Sequence, residues 1–266
     1  MPAGKGHQPP RRQDSIGKIV LCAGLKSSGS TWLYNAVIQL CESDFRRRSK
    51  DQDLSQVLPF YADRIEDFPA DADSALLLVI KTHIPSPALA FLTSFARGSV
   101  FITVREPRDS VASLMKRFGH EFEASLQEVS SSGARLVELS SLGRSMVLRY
   151  EEGFFRRPAT MARLSRQMGV AVAPASLDQI YRSLTAANVK REIARLAKRG
   201  AFGVCGHPDS FDPKTHWHPG HVGDRRVGKY ADMLSPRMQR QVLNVTSDYC
   251  LRFGYPTEAP APRRRR

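Results

Sequence analysis

The sequence predicts an α/β fold of three layers, in which helices cover both faces of a central, mostly parallel sheet. Continuous apolar runs of strand length support this prediction, because a strand that is buried on both faces shows no polar alternation. Helix-length amphipathic segments follow these runs, so strands and helices alternate along the chain. A turn rich in glycine and serine joins the first strand to the first helix.

The predicted strands and helices alternate between residues 17 and 253. Residues 17–23 are an apolar first strand, and residues 31–41 are a helix with an apolar face that includes Trp32, Leu33 and Leu40. Uninterrupted apolar runs predict later strands at 75–80 and 99–104, and a further short strand is predicted at 146–150. Amphipathic segments predict later helices at 109–118, 154–168, 185–198 and 236–253. Residues 200–228 lack periodicity and form a predicted loop of a length that is usually functional or mobile.

The chain has 266 residues, of which 41% are hydrophobic and 25% are charged, and this composition fits one globular α/β domain. We predict that the domain covers residues 16–255, between tails at 1–15 and 256–266 that are rich in proline and arginine and expected to be disordered. No apolar run approaches the roughly 18 residues of a membrane-spanning helix, and no secretory pattern is found. The four cysteines are far apart, so we expect reduced thiols and a cytoplasmic location.

The chain is strongly basic, with a formal net charge of +14. Its 40 lysines and arginines are spread over the predicted domain as well as the tails, so the domain itself is cationic. This charge suits a ligand that carries several phosphates. Nucleic-acid binding is an alternative, but no recognised motif and no interleaving of aromatic and basic residues supports it.

Residues 24–31 follow a strand and open a helix, and their small side chains let successive N–H groups converge on an anion. The spacing matches the phosphate loop G-x-x-x-x-G-K-[ST], except that Ser30 stands in place of the lysine. A P-loop kinase or hydrolase, the alternative enzyme class, also needs a carboxylate at a neighbouring strand end to hold Mg²⁺. The next strands end instead in Lys81 and His83 and in Arg105. The sequence therefore predicts a P-loop-like fold that binds phosphate without a metal, with a plain strand-turn-helix as the structural alternative.

Cations, hydroxyls and one histidine gather at the predicted strand ends. After the loop, the second end carries Lys81 and His83, and the third carries Arg105, followed eight residues later by Ser113. The fourth carries Tyr150 before two glutamates. In this combination the sequence resembles, over nearly the whole chain, the cytosolic type of sulfotransferase that uses PAPS (3′-phosphoadenosine 5′-phosphosulfate).

The resemblance implies a role for each motif. Trp32 and Tyr150 would lie near the adenine of PAPS. Arg105 and Ser113 would grip its 3′-phosphate, and His83 would be the catalytic base. The loop, which is similar to the family's P-K-S-G-T-T-W, would hold the 5′-phosphosulfate through Lys26, Ser27, Ser28, Gly29, Ser30, Thr31 and Trp32.

The sequence departs from the family's pattern at two places. An ungapped alignment puts Ser27 at the catalytic lysine, so either Lys26 reaches in from a longer loop or another cation does this work. The family's late R-K-G-x-x-G-D segment is similar to residues 218–224, but His218 and Pro219 replace the arginine and the lysine. The contacts of this segment with the 3′-phosphate would involve Gly220, Arg225, Arg226 or Lys229.

The activity that the resemblance implies is transfer of a sulfuryl group from PAPS to a hydroxyl or amine of a small acceptor, by in-line displacement. His83 would accept the proton of the acceptor. Lys26 would stabilise charge on the bridging oxygen, and Lys81 would support the sulfonate or the base. Because the leaving group, an adenosine bisphosphate, departs well, no metal is expected.

A cluster of zinc-binding residue types in the late loop is a further alternative. Its spacing matches no standard zinc site, so a loop that lines the pocket is the preferred interpretation. The cluster comprises Cys205, His207, His216, His218 and His221.

The acceptor pocket is predicted from the segments without shared motifs, at 45–67, 118–132 and 202–221. The aromatic residues there predict an aromatic or lipophilic alcohol as acceptor. These residues are Phe60, Tyr61, Phe118 and Phe122. The identity of the acceptor and the oligomeric state are not specified by the sequence.

Overall fold

Among the described residues, five parallel strands form the central sheet. They are β1 (Lys18–Gly24), β2 (Val57–Tyr61), β3 (Leu77–Thr82), β4 (Ser99–Val104) and β5 (Ser145–Arg149). The strands pair in the order β2-β3-β1-β4-β5, so β1 lies in the middle and all carboxyl ends meet at one edge. The structure is a computed structural model that describes residues 18–48, 57–63, 77–95, 98–142, 145–202 and 211–258.

Helices cover both faces of this sheet. They are α1 (Ser30–Arg48), α2 (Pro87–Phe95), α3 (Pro107–Phe118), α4 (Phe122–Ser141), α5 (Ala159–Met168), α6 (Pro174–Ser183), α7 (Ala186–Lys198), α8 (Tyr230–Met233), α9 (Pro236–Val245) and α10 (Ser247–Phe253). Short 3₁₀ turns at Tyr150–Glu152 and Phe154–Arg156 follow β5. The predicted three-layer α/β fold with a parallel sheet is confirmed.

Two apolar cores lie on opposite faces of the sheet, because successive side chains of a strand point to opposite sides. In β1, Leu21 and Ala23 belong to one core, which also contains side chains of α3, α4, α9 and α10. Val20 and Cys22 belong to the other core, with α1, α5, α6 and α7. Burial on both faces explains why this strand is an uninterrupted apolar run.

Several elements differ from the predicted ones. The edge strand β2 was not predicted because it contains Pro59, which a strand tolerates only at an edge or a bulge. The predicted helix at 236–253 is two helices, α9 and α10, that meet at Thr246, whose hydroxyl donates to the Val242 carbonyl at 2.7 Å. The predicted helix at 154–168 becomes a 3₁₀ turn and then α5, because Pro158 keeps the preceding residue out of the helical conformation.

The described helices include none that is both long and apolar enough to span a bilayer. Cys22, Cys41 and Cys250 are buried, and Cys22 and Cys250 carry free thiols. The predicted tail at 1–15 lies outside the described residues, as do residues 259–266 of the second tail.

Candidate active site

Thr103 of β4 fixes the loop between β1 and α1. The Leu25 N–H donates to the Thr103 carbonyl at 3.0 Å, and the Ser28 hydroxyl lies 2.6 Å from the Thr103 hydroxyl. Ser28 also donates from its hydroxyl to the Leu25 carbonyl, at 2.5 Å, and is fully buried. The Ser28 side chain therefore shapes the loop, and its predicted contact with the donor stays a prediction.

The rest of the loop faces a cavity of about 420 Å³ at the carboxyl edge of the sheet. Ser27 and Gly29 have φ angles of 64° and 87°, which turn the backbone so that the start of α1 points into the cavity. The first N–H groups of a helix have no partner within it, and the buried Ser27 hydroxyl has no hydrogen-bond partner among the residues that the structure describes. The loop residues that line the cavity are Lys26, Ser27, Gly29, Ser30, Thr31 and Trp32.

His83 reaches the same cavity from the end of β3. Its Nδ1 lies 2.7 Å from the Gly24 carbonyl, which can only accept, so Nδ1 carries the proton and Nε2 has the free lone pair. Nε2 lies 3.3 Å from Nζ of Lys81. Asp63, which the sequence did not single out, accepts from the Thr82 hydroxyl at 2.7 Å and from the His83 N–H at 3.1 Å, and so fixes this segment.

Burial lowers the pKa values of both Lys81 and His83. Burial lowers the pKa of Lys81 to about 8. Burial, followed by the charges of Lys81 and Lys26, lowers the pKa of His83 to about 3. His83 is therefore neutral near pH 7, with a lone pair available to accept a proton.

Arg105, only 2% exposed, joins the loop to α3. Its Nη1 donates at 3.0 Å to both the Ser113 hydroxyl and the Ser27 carbonyl. Its Nη2 donates to the Arg226 carbonyl at 3.0 Å, and its guanidinium lies 4.2 Å from the centre of the Tyr150 ring. The predicted clamp residues Arg105 and Ser113 thus lie together in the cavity that His83 also lines.

Tyr150 and Trp32 line the cavity on the side of β5 and α1. Trp32 is largely buried, donates from Nε1 to the Leu184 carbonyl at 3.0 Å, and packs edge-on against Phe154. The more exposed Tyr150 ring lies 4.9 Å from the ring of Phe155. Aromatic rings therefore lie next to the clamp, where a planar base could stack.

Solved structures of known proteins resemble the chain over most of its length. Mouse sulfotransferase SULT7A1 complexed with PAP has a TM-score of 0.60 at 14% identity, and the match covers 88% of this chain and 84% of that one. Retinol dehydratase in complex with androsterone and the inactive cofactor PAP has a TM-score of 0.55 at 14% identity, with 92% and 83% covered. The complex of retinol dehydratase with retinol and PAP has a TM-score of 0.54 at 14% identity, and the match covers 87% of this chain and 81% of that one. This chain has the sulfotransferase fold. Neither protein-family models nor curated proteins show a match to the sequence.

Lys26 occupies the loop of this sulfotransferase fold one residue before the position expected for a lysine. Its Nζ lies 2.8 Å from a carboxylate oxygen of Glu128, whose other oxygen lies 3.0 Å from Nδ1 of His120. All three side chains line the cavity. The Lys26 side chain therefore faces the cavity, and a carboxylate from α4 holds it there.

The late loop contributes fewer cations than the sequence predicted. Gly220 and the Arg226 side chain do not line the cavity, and the Arg226 guanidinium is paired with Asp232. Arg225 does line the cavity, with its guanidinium 5.2 Å from the centre of the Phe155 ring. Of the predicted contacts Gly220, Arg225, Arg226 and Lys229, the side chains of Arg225 and Lys229 line the cavity.

The histidines of the late loop pack against rings. His216 stacks on Tyr34 at 4.6 Å, and the rings of His218 and His221 lie 4.4 Å apart, edge to face. Within the described part of the chain, no group of three His, Cys, Asp or Glu side chains is arranged to hold a metal ion. Cys205 and His207 lie outside that part.

The wall beyond His83 is aromatic. Of the four aromatic residues predicted for the acceptor pocket, Tyr61 and Phe118 line the cavity, together with Phe211. Phe122 is instead buried in the core under α4, and Phe60 packs against the same core. The prediction of these two as pocket walls is therefore wrong, because each lies on the inward face of its element.

Proposed function

We propose that this protein transfers a sulfuryl group from PAPS to a hydroxyl or amine of a small-molecule acceptor. The observation that carries the proposal is the clamp of Arg105 and Ser113, which lies in the same cavity as His83. The Ser27 carbonyl accepts from Arg105 and so ties the clamp to the loop. A guanidinium fork beside an anion-binding loop suits a nucleotide with phosphate at both its 3′ and 5′ positions. The sulfotransferase fold, with solved neighbours complexed with PAP, supports the same assignment.

The donor would be held at three places. The N–H groups at the start of α1 and the Ser30 and Thr31 side chains would bind the 5′-phosphosulfate. Arg105 and Ser113 would bind the 3′-phosphate, and Arg225, whose guanidinium lies over the Phe155 ring, would assist from the cavity wall. The rings of Tyr150 and Trp32 would take the adenine.

The chain's own residues would then move one proton and stabilise one charge. The bond between sulfur and the phosphate oxygen breaks, and a bond between sulfur and the acceptor oxygen or nitrogen forms. Nε2 of His83 takes the acceptor's proton, while Lys26 and Lys81 stabilise the charge that leaves with the bisphosphate. His83 is a weak base in the free protein because it is buried and because Lys81 and Lys26 lie near it. An anionic donor next to those lysines would offset their charge and raise the basicity of His83.

Calorimetric titration with adenosine 3′,5′-bisphosphate (PAP) and with AMP tests the donor site. AMP lacks the 3′-phosphate, so we expect PAP to bind at least tenfold more tightly, the effect of about 1.5–3 kcal/mol for charge-assisted hydrogen bonds. Equal affinities for PAP and AMP would remove the basis of the proposal.

Transfer of radioactive sulfate from labelled PAPS to a panel of phenols, alcohols and amines tests the reaction. We expect product that His83→Asn reduces at least a hundredfold and that EDTA leaves unchanged. Turnover of ATP that depends on Mg²⁺, without sulfate transfer, would instead favour a P-loop kinase or hydrolase. We infer that the protein works in the cytoplasm, because the buried Cys22 and Cys250 carry free thiols.

A further inference from the structure

One guanidinium in the cavity, that of Arg117, has no task in the proposed donor site. Arg117 lies on α3 four residues after Ser113, so it occupies the same face about 6 Å further along the helix. Its Cδ passes beside the backbone of Gly223, where an added Cβ would lie 3.6 Å away. Its guanidinium lies 5.1 Å from the centre of the Phe118 ring. The side chain therefore extends from the clamp towards the aromatic wall of the cavity.

The hydrogen bonds of Arg117 leave its charge uncompensated. Nη2 donates to the carbonyl of His221 at 3.1 Å and lies 3.5 Å from Nε2 of His218. Burial lowers the pKa of His218 to about 4, so this neighbour is uncharged near pH 7. Nε of Arg117 is buried and has no hydrogen-bond partner among the described residues. A donor of this kind is satisfied by an acceptor atom that a ligand brings.

Other cations of the cavity have counter-ions or tasks of their own. Carboxylates lie within 4 Å in the pairs Lys26–Glu128, Lys229–Asp224 and Arg105–Asp109. In the described parts of the chain, no carboxylate oxygen lies that close to Arg117, Lys81 or Arg225. Lys81 faces His83 at the reacting end, and Arg225 lies over Phe155 at the proposed adenine end. Arg117 is the cavity cation that remains for a second ligand.

We propose that Arg117 binds a carboxylate of the acceptor, so that the acceptor is an aromatic hydroxy acid or amino acid. This inference rests on the proposed function and narrows it to a substrate class. The planar guanidinium edge matches a carboxylate, and the neighbouring Phe118 ring provides an apolar surface for an aromatic body. The acceptor's hydroxyl or amine would point to His83. The other source of an anion is the donor's own 3′-phosphate, for which Arg105 and Ser113 are already in place.

The test uses matched acceptors at saturating PAPS with the full-length protein. The acids are 4-hydroxybenzoate, 4-hydroxyphenylacetate and 3-(4-hydroxyphenyl)propanoate, each paired with its neutral primary amide. The three lengths allow for different separations between the carboxylate and the phenol. The variants are Arg117→Gln and Arg117→Lys, with Arg135→Gln as control, because Arg135 lies on the exposed face of α4 in an ion pair with Glu138.

We expect the wild type to prefer at least one acid over its amide by tenfold or more in kcat/KM. Arg117→Gln should reduce that preference to within twofold and leave the amides and the affinity for PAP within twofold of wild type. Arg117→Lys, which keeps the charge but loses the fork, should retain a preference at least threefold below that of wild type. Arg135→Gln should behave as wild type. If circular dichroism shows Arg117→Gln to be unfolded, Arg117→Lys decides by its own criterion, a preference at least threefold below that of wild type.

Three results would overturn the inference without touching the proposed function. These are equal use of acids and amides by the wild type, an unchanged preference in the folded Arg117 variants, and a tenfold loss of PAP affinity in those variants. The last would assign Arg117 to the donor's 3′-phosphate. Failure of the proposed function looks different, because neither PAP binding nor sulfate transfer to any phenol would then be found in the wild type.

Discussion

Among single residues, Arg105 connects three separate parts of the candidate site. Its guanidinium contacts the Ser27 carbonyl, the Ser113 hydroxyl and the Arg226 carbonyl, each at 3.0 Å. These contacts come from the loop, α3 and the late segment. The side chain is therefore held in one orientation before any ligand arrives, which reduces the entropy cost of binding.

Arg105→Lys tests this orientation. An ammonium group cannot span the same partners, so we expect PAP to bind about tenfold to a hundredfold more weakly, while AMP binds as before. Calorimetry measures both affinities. Ser113→Ala is the matched control, since it removes one hydroxyl and keeps the guanidinium, and it should lose less than Arg105→Lys. A parallel loss of PAP and AMP binding would mean that Arg105 supports the loop and does not read the 3′-phosphate.

Lys81 sets the pH dependence that we expect of the enzyme. Burial lowers its pKa to about 8, so the charged form is lost as the pH rises through 8 in the free protein. We expect kcat/KM for PAPS to fall above about pH 8 and to show no acidic limb near 6.5, because His83 is already neutral there.

The substitution Lys81→Arg separates the charge from its titration. Arginine stays protonated throughout this range, so the basic limb should disappear while activity below pH 8 is at least partly retained. Initial rates between pH 5.5 and 9.5 measure the effect. A basic limb that is unchanged in Lys81→Arg would assign it to another group.

At the scale of elements, the loop between β1 and α1 depends on a close approach to β4. A Cβ at Gly24 would lie 2.1 Å from the Thr103 hydroxyl and 2.8 Å from Cβ of Ser30. Either the loop or β4 must then move. The element that binds the donor is thus positioned by backbone contact with its neighbour strand, and glycine is required for space.

We expect Gly24→Ala to lower the free energy of unfolding by about 1–3 kcal/mol, as overpacking does, and to weaken PAP binding more than tenfold. Gly133→Ala is the matched control. Its Cβ would lie 3.4 Å from the Tyr249 ring, an ordinary contact, and alanine favours the helix α4, so stability should be unchanged or slightly higher. Urea unfolding and calorimetry measure both. Wild-type affinity for PAP in Gly24→Ala would contradict the positioning role.

The sequence predicted the elements whose signal is local. The strands β1 and β4 are apolar runs, and the loop and Arg105 follow them directly in sequence. Both strands and the residues after them were therefore predicted. Glu128 was missed because the apolar stripe of its helix α4 is interrupted by buried serines, which weakens the helical pattern. One of these serines, Ser132, donates to the His83 carbonyl. Asp63 was missed for a similar reason, since β2 contains a proline and only the sheet order brings its end next to His83.

For the molecule as a whole, the cavity is built from parts that are far apart in sequence. The sheet contributes its carboxyl edge, and the late segment from 215 to 229 closes over it through Asp109, which accepts from the N–H groups of Gly228 and Tyr230 at 2.7 and 3.1 Å. A net charge of +14 gives a field that favours the arrival of a polyanion. The closed arrangement encloses uncharged histidines, and this makes the stability of the fold sensitive to acid.

His216 is the clearest case, because it is 6% exposed and stacks on Tyr34. Burial, with the charge of Lys81 adding to it, lowers its pKa to about 3. In the unfolded chain its pKa is ordinary, so the unfolded chain binds a proton more readily, and folding stability is lost as the pH falls from about 6.5 towards 3.

His216→Phe keeps the stacked ring and removes the titration. We expect its free energy of unfolding to fall less steeply with acidification than that of wild type, by up to about 1.4 kcal/mol per pH unit. Urea unfolding at pH 7.0, 6.0 and 5.0 measures the slope, with an equal m-value in both proteins as the control. Parallel slopes would show that His216 is as free to bind a proton in the folded protein as in the unfolded chain, and that the late segment does not close over it.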